Sequence, residues 1–124
     1  MKQERIEEFT LDGKNFIYID LAGIKVNEEF AEFIAVVEAA IEKYPKGSLY
    51  TITNIDGIRF DTESKELAAQ YMEFNKPYVK HGAVVGLDGI KKLFIQTITK
   101  LSGRDDMLFA FSREQAIELL LQQE

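Results

Sequence analysis

The chain contains no cysteine. Disulfides, thiolate nucleophiles, cysteine-based zinc sites and thiol redox sensing are therefore excluded. A single histidine, His81, stands in 124 residues. A zinc site would have to draw every other ligand from carboxylates, which is unusual, and a lone catalytic imidazole needs an orienting partner. His81 is expected at the surface or on an edge strand. No apolar run approaches the roughly 20 residues that a membrane span needs. The opening MKQERIEEFT holds no apolar stretch of the kind that marks a secretory signal. Positive charge is in short supply: 15 Lys and Arg face 21 Asp and Glu, for a net charge of −6 and a pI near 4.9. Nucleic acid and anionic membranes are thus not attracted in general. The expected setting is cytoplasmic, with no nucleic acid and no membrane span.

What is present is the balance of a folded domain, with 46% hydrophobic and 29% charged residues. At this length a chain buries about two-thirds of the surface it exposes when unfolded. There is no linker, low-complexity tract or internal repeat, so 1–124 is expected to form one domain.

Two extended runs, Arg5 to Leu11 and Asn15 to Leu21, flank Asp12-Gly13. Asp-Gly between such runs signals a hairpin, because tight turns require positive φ. Asn27-Glu28-Glu29 then reads as a cap with two acids at the positive end of a helix. Phe30, Phe33, Ile34, Val37, Ile41 and Tyr44 recur every three or four residues, which predicts a helix from Glu28 to Lys43. Pro45 and Gly47 stop it. Leu49 to Thr53 is the next strand, and Asp61 or Thr62 caps a second helix with Leu67, Tyr71, Phe74 and Tyr78 on its apolar face. Ala83-Val84-Val85 reads as a strand covered on both sides. A third helix carries Ile90, Leu93, Phe94, Ile98 and Leu101, and Met107 to Phe111 forms the last strand. Ser112-Arg113-Glu114-Gln115 matches a capping box that opens a final helix. The order ββαβαβαβα predicts an α/β fold, a mixed sheet of four or five strands with about four helices.

No catalytic constellation is visible. Gly86-Leu87-Asp88-Gly89 followed by Lys91 and Lys92 could cradle an anion at a strand-to-helix turn. It nevertheless lacks both GxxxxGK[ST] and GxGxxG. The acid pairs Glu7-Glu8, Glu28-Glu29 and Asp105-Asp106 lack calcium-loop spacing. No metal or cofactor is expected. If the strands are parallel, the crevice at their carboxyl ends is the place for a ligand or a partner. It would be lined by Arg59, Asp61, Thr62, Gly86, Asp88 and Gly89.

The stretch Asn54-Ile55-Asp56-Gly57-Ile58-Arg59-Phe60-Asp61-Thr62-Glu63-Ser64 carries a resemblance to a known family. With the element order of nearly the whole chain, it resembles the STAS family, named for sulfate transporters and anti-sigma-factor antagonists. There a strand ends in an acidic, apolar turn that leads into a helix start bearing a serine switch. The resemblance matches Asp61 to the family's acidic residue and Thr62 to its phosphoacceptor, with Ser64 as a second candidate. Glu63 and Ser64 stand where the family more often has a small residue and a glycine. The chain is similar to a divergent STAS-like branch, itself similar to a class of lipid-binding sheets.

The resemblance implies a non-catalytic regulatory or protein-interaction module. Its expected partner is a switch kinase or an anti-sigma factor, or a second copy in a homodimer. The alternative is a carrier of a small molecule or lipid in the strand-end crevice. An enzyme ranks last, for want of triad spacing.

Overall fold

A computed structural model of the chain describes residues 5–24, 28–58, 62–86 and 107–123, the side chains of residues 28–29 and 62–65 lying outside that set. Five strands form one sheet: β1 (Ile6–Leu11), β2 (Lys14–Asp20), β3 (Leu49–Asn54), β4 (Val79–Val85) and β5 (Met107–Ala110). Three helices lie among the described residues: α1 (Glu28–Ile41), α2 (Thr62–Asn75) and α3 (Arg113–Leu121). The expected helix between β4 and β5 lies outside the described residues.

The hairpin forms within the chain. Asp12 and Gly13 both take positive φ, 51° and 74°, as a two-residue primed turn requires. They set β1 antiparallel to β2, Phe9 opposite Phe16. From β2 onward every neighbour is parallel, and spatial order equals chain order, β1-β2-β3-β4-β5. Successive crossovers that step the same way across a sheet leave their connections on one face. Accordingly α1 and α2 share a core with Ile17, Ile19, Leu49 and Val84. The other face belongs to α3, whose Ala116 and Leu120 pack on Tyr50, Ile52, Ala83, Val85 and Ala110.

Helix α1 follows its sequence pattern: Phe30, Phe33, Ile34, Val37 and Ile41 are all buried. Each contributes roughly 1.5–3 kcal/mol of burial before the entropy of ordering is subtracted. On α2 the expected stripe is shifted by one residue. Ala68, Tyr71, Met72 and Asn75 are buried, while Leu67, Phe74 and Tyr78 are half-buried. Leu67 and Phe74 had drawn the stripe toward the larger side chains.

Strand β4 is longer than the short apolar run suggested, and it is interior, between β3 and β5. His81 therefore lies neither on an edge strand nor fully at the surface. It is half-buried, with its ring 5.8 Å from that of Tyr50. A register shift sets Leu49 opposite Val79 but Tyr50 opposite His81, so Lys80 is the extra residue of a bulge. His81 thereby completes a rank of rings across four strands. Phe9 stacks on Phe16 at 5.2 Å, and Phe16 lies 5.4 Å from Tyr50. Arg113 of α3 covers the end of this rank, its guanidinium 5.2 Å from the Phe9 ring and 4.3 Å from that of Tyr18. It also pairs with Glu7. A cation held over aromatic faces fastens the start of α3 to the hairpin.

Candidate functional site at the carboxyl edge of the sheet

Strands β2 and β3 end in the same way. Asp20-Leu21-Ala22-Gly23-Ile24 and Asn54-Ile55-Asp56-Gly57-Ile58 are two copies of one turn. In each, the first side chain accepts the N–H two residues on: Ala22 donates to Asp20 Oδ1 at 2.9 Å, and Asp56 to Asn54 Oδ1 at 3.0 Å. Short side chains that bond their own backbone in this way build turns without outside help. In each, the glycine has positive φ, 72° and 70°. In each, the isoleucine N–H returns to the carbonyl three residues back at 3.1 Å, and its side chain is buried.

The two turns are bonded to each other. Leu21 N–H donates to the Asn54 carbonyl at 2.8 Å, and Gly23 N–H to that of Asp56 at 2.9 Å. Ile55 N–H donates onward to the Val85 carbonyl at 3.0 Å. Arg5 joins from the hairpin, its guanidinium donating to the carbonyls of Asp20 (3.3 Å) and Ala22 (2.9 Å). The ladder of the sheet thus runs on past the strands, and the carboxyl edge is a braced platform.

Gly86 closes it. Its φ is +84°, and a Cβ built there would stand 2.6 Å from Asp56 N and 2.7 Å from Asn54 Oδ1. The turn after β3 is seated directly on the exit of β4, with no space between them for a methyl group.

Of the residues expected to line this edge, Gly86 directly follows β4 and is packed against Asn54 and Asp56. Thr62 opens α2, and Ser64 lies in its first turn; their side chains are outside the described set. Arg59, Asp61, Asp88 and Gly89 also lie outside the described residues. The platform residues Asp20, Asn54 and Asp56 were not singled out. The shared pattern, Asp or Asn, then an aliphatic residue, any residue, Gly and Ile, was present in the sequence. At five residues it is too short to register as a repeat.

Two further features went unsignalled. Phe111 directly follows β5 and is 95% exposed. It is held there: its N–H donates to Gln115 Oε1 at 2.7 Å, while Ser112 Oγ accepts Gln115 N–H at 3.1 Å. The capping box that the sequence announced therefore also presents a bare phenyl ring at the carboxyl edge. The second feature is a cavity of about 60 Å³ beneath α2, bounded by Leu21, Phe30 and Ile55 toward the platform and by Thr51 and Asn75 farther in. Asn75 is 5% exposed, and its Oδ1 has no hydrogen-bond partner among the described residues.

Shifted ionisations fall elsewhere. Tyr44 donates to Glu8 Oε1 at 2.5 Å, beside Lys43 at 3.1 Å from the same carboxylate. Burial, then the hydrogen bond and charge of Glu8, push the Tyr44 hydroxyl up to about 12. For Glu8, burial raises and the bonds from Tyr44 and Lys43 lower, with a net fall below the ordinary value. Burial, then the neighbouring Glu42, raises Glu38. Lys43 and Tyr44, just past α1, thus tie that end of the helix to Glu8 of β1.

An antiparallel edge hairpin leading into parallel βα units, with the turn after β3 opening α2 at the carboxyl edge, is a STAS-like fold. The chain is similar in structure to an anti-sigma-factor antagonist (STAS) domain protein from Planctomyces limnophilus. The TM-score is 0.54 at 10% sequence identity, over 93% of this chain and 97% of that one. At that identity the likeness concerns the fold. No protein-family model matches the chain, and no curated protein sequence is significantly similar to it. Among the described residues no helix is long and apolar enough to cross a membrane.

Proposed function

We propose that the chain is a non-catalytic, regulatory STAS-like module that docks a protein partner on the carboxyl edge of its sheet. The observation that carries this reading is Phe111. A phenylalanine left bare in water forgoes roughly 1.5–3 kcal/mol of burial, and a capping hydrogen-bond pair holds this one at the same edge as the braced turns. Rigid platforms with one exposed aromatic anchor are how interaction surfaces concentrate their binding energy. The partner class that the fold suggests is a switch kinase or an anti-sigma factor, with Thr62 or Ser64 at the start of α2 as the phosphoacceptor. A phosphate there would meet free N–H groups and the positive end of the helix. We prefer this to a ligand carrier using the crevice, because Gly86 is already filled by Asn54 and Asp56.

The test is affinity capture from the native source with wild-type and Phe111→Ala protein as baits, alongside intact-mass analysis of the endogenous chain. The reading expects a partner retained by wild type and lost at least tenfold by Phe111→Ala at unchanged stability. Equal recovery by both baits, or none by either, would count against it. A mass increment of one phosphate that disappears in Thr62→Ala or Ser64→Ala would identify the switch residue.

A further inference from the structure

We infer that the cavity beneath α2 is a binding site for a small neutral molecule carrying a hydrogen-bond donor on an apolar body. Its position and chemistry are independent of the docking reading, since it lies between the sheet and α2.

The lining sets the class of ligand. Among the described residues no charged side chain borders the cavity, so an ion would enter without a counter-charge, which low-dielectric surroundings penalise heavily. Most of the wall is hydrocarbon, including Leu21, Phe30, Ile55 and Val84. One buried polar group of the wall is Asn75: it is 5% exposed, and its amide oxygen has no hydrogen-bond partner among the described residues. An amide oxygen only accepts, so the group that satisfies it must donate an O–H or N–H. Thr51 and Thr53 stand on the sheet side of the same space and add polar contacts to a ligand that is otherwise wrapped in hydrocarbon.

The volume sets its size. About 60 Å³ is room for roughly four waters at ~15 Å³ each, or for one molecule of a few heavy atoms. Water is the poorer occupant. Each buried water needs two to four polar partners, and this wall offers few for so many waters. A short-chain alcohol places its hydroxyl on Asn75 and its alkyl part against the wall.

Isopropanol and acetone make the test, because they match in size and only the alcohol donates. Each is titrated into the ¹⁵N-labelled chain at millimolar concentrations and followed by amide chemical shifts. The expected result is saturable shifts confined to the residues that line the cavity and their neighbours, on β3, β4 and α2 and around Leu21 and Phe30, with isopropanol binding about fivefold more tightly than acetone, the worth of one hydrogen bond. Asn75→Leu keeps the side-chain volume and removes the acceptor, and it should bring that ratio close to one. Ala68→Leu, which fills the space from α2, should abolish binding of both probes. If Asn75→Leu does not fold, the wild-type ratio and the loss in Ala68→Leu still decide. Non-saturating shifts in wild type, an unchanged ratio in Asn75→Leu, or unimpaired binding in Ala68→Leu would each overturn the inference and leave the space to water alone.

Discussion

Replacing Gly86 with alanine tests whether the carboxyl edge is braced as described. Two costs act at that position. An L side chain at φ +84° pays about 1–2 kcal/mol for left-handed backbone. The added Cβ would also stand 2.6 Å from Asp56 N and 2.9 Å from Asp56 Cα. Those are backbone atoms of a turn bonded to both neighbouring strands, so they cannot swing aside as a side-chain tip would. Forcing a methyl group into packed surroundings costs roughly 1–3 kcal/mol, for a total of about 2–5 kcal/mol. Gly13 is the internal control: its φ is +74°, and nothing lies within 4 Å of its built Cβ. Gly13→Ala should therefore pay only the backbone part, about 1–2 kcal/mol. Urea unfolding of the two variants, extrapolated linearly to water, isolates the contact as their difference. Gly86→Ala should be the less stable by at least about 1 kcal/mol, and its amide shifts should move at Asn54 to Gly57. If the two variants agree to within about 0.5 kcal/mol, below the cost of overpacking, the seat of Gly86 on Asp56 is refuted.

Three other outcomes follow from the same structure. The Tyr44 hydroxyl ionises near 10 when unfolded and about 12 when folded. Between those values the unfolded chain has released a proton that the native one keeps, so stability falls as pH rises through that window. Alkaline unfolding should show this dependence in wild type and lose it in Tyr44→Phe. Arg113→Ala should destabilise the fold by about 1 kcal/mol through loss of its contacts with Phe9 and Tyr18, and Arg113→Lys should retain part of that, as thermal unfolding will show. Ser112→Ala removes the acceptor for Gln115 N–H and should cost about 1 kcal/mol, measured by urea denaturation.

The elements that could be read from the sequence are those whose signal is local. Asp12-Gly13 specifies its turn because both residues tolerate positive φ, and Ser112 and Gln115 cap α3 because their side chains reach only three and four residues. The stripe of α1 was legible because large side chains alone make it. On α2 the same logic misled, since Leu67 and Phe74 outweigh Ala68 and Asn75 in any pattern of size. Which of them faces the sheet depends on how closely the helix packs. The place of His81 opposite Tyr50 depends on a bulge at Lys80, and bulges are settled by strand pairing rather than by composition. The platform was hidden for a different reason. Its hydrogen bonds join residues 20–23 to 54–56 and 55 to 85, and no local pattern encodes the partner.

Because strand order repeats chain order, each strand of this sheet, once made, finds its neighbour already waiting. A growing chain can add β2 to β1, β3 to β2 and β4 to β3 without leaving a gap to be filled later. Coverage of the two sides is unequal in time. The face under α1 and α2 is roofed as those helices form between strands. The rank of rings from Phe9 to His81 waits for the helix that begins at Arg113, which follows all five strands along the chain. Until then that aromatic face is the exposed one, and α3 ends its exposure, with Arg113 closing over Phe9 and Tyr18 and Ala116 and Leu120 covering the strands beyond.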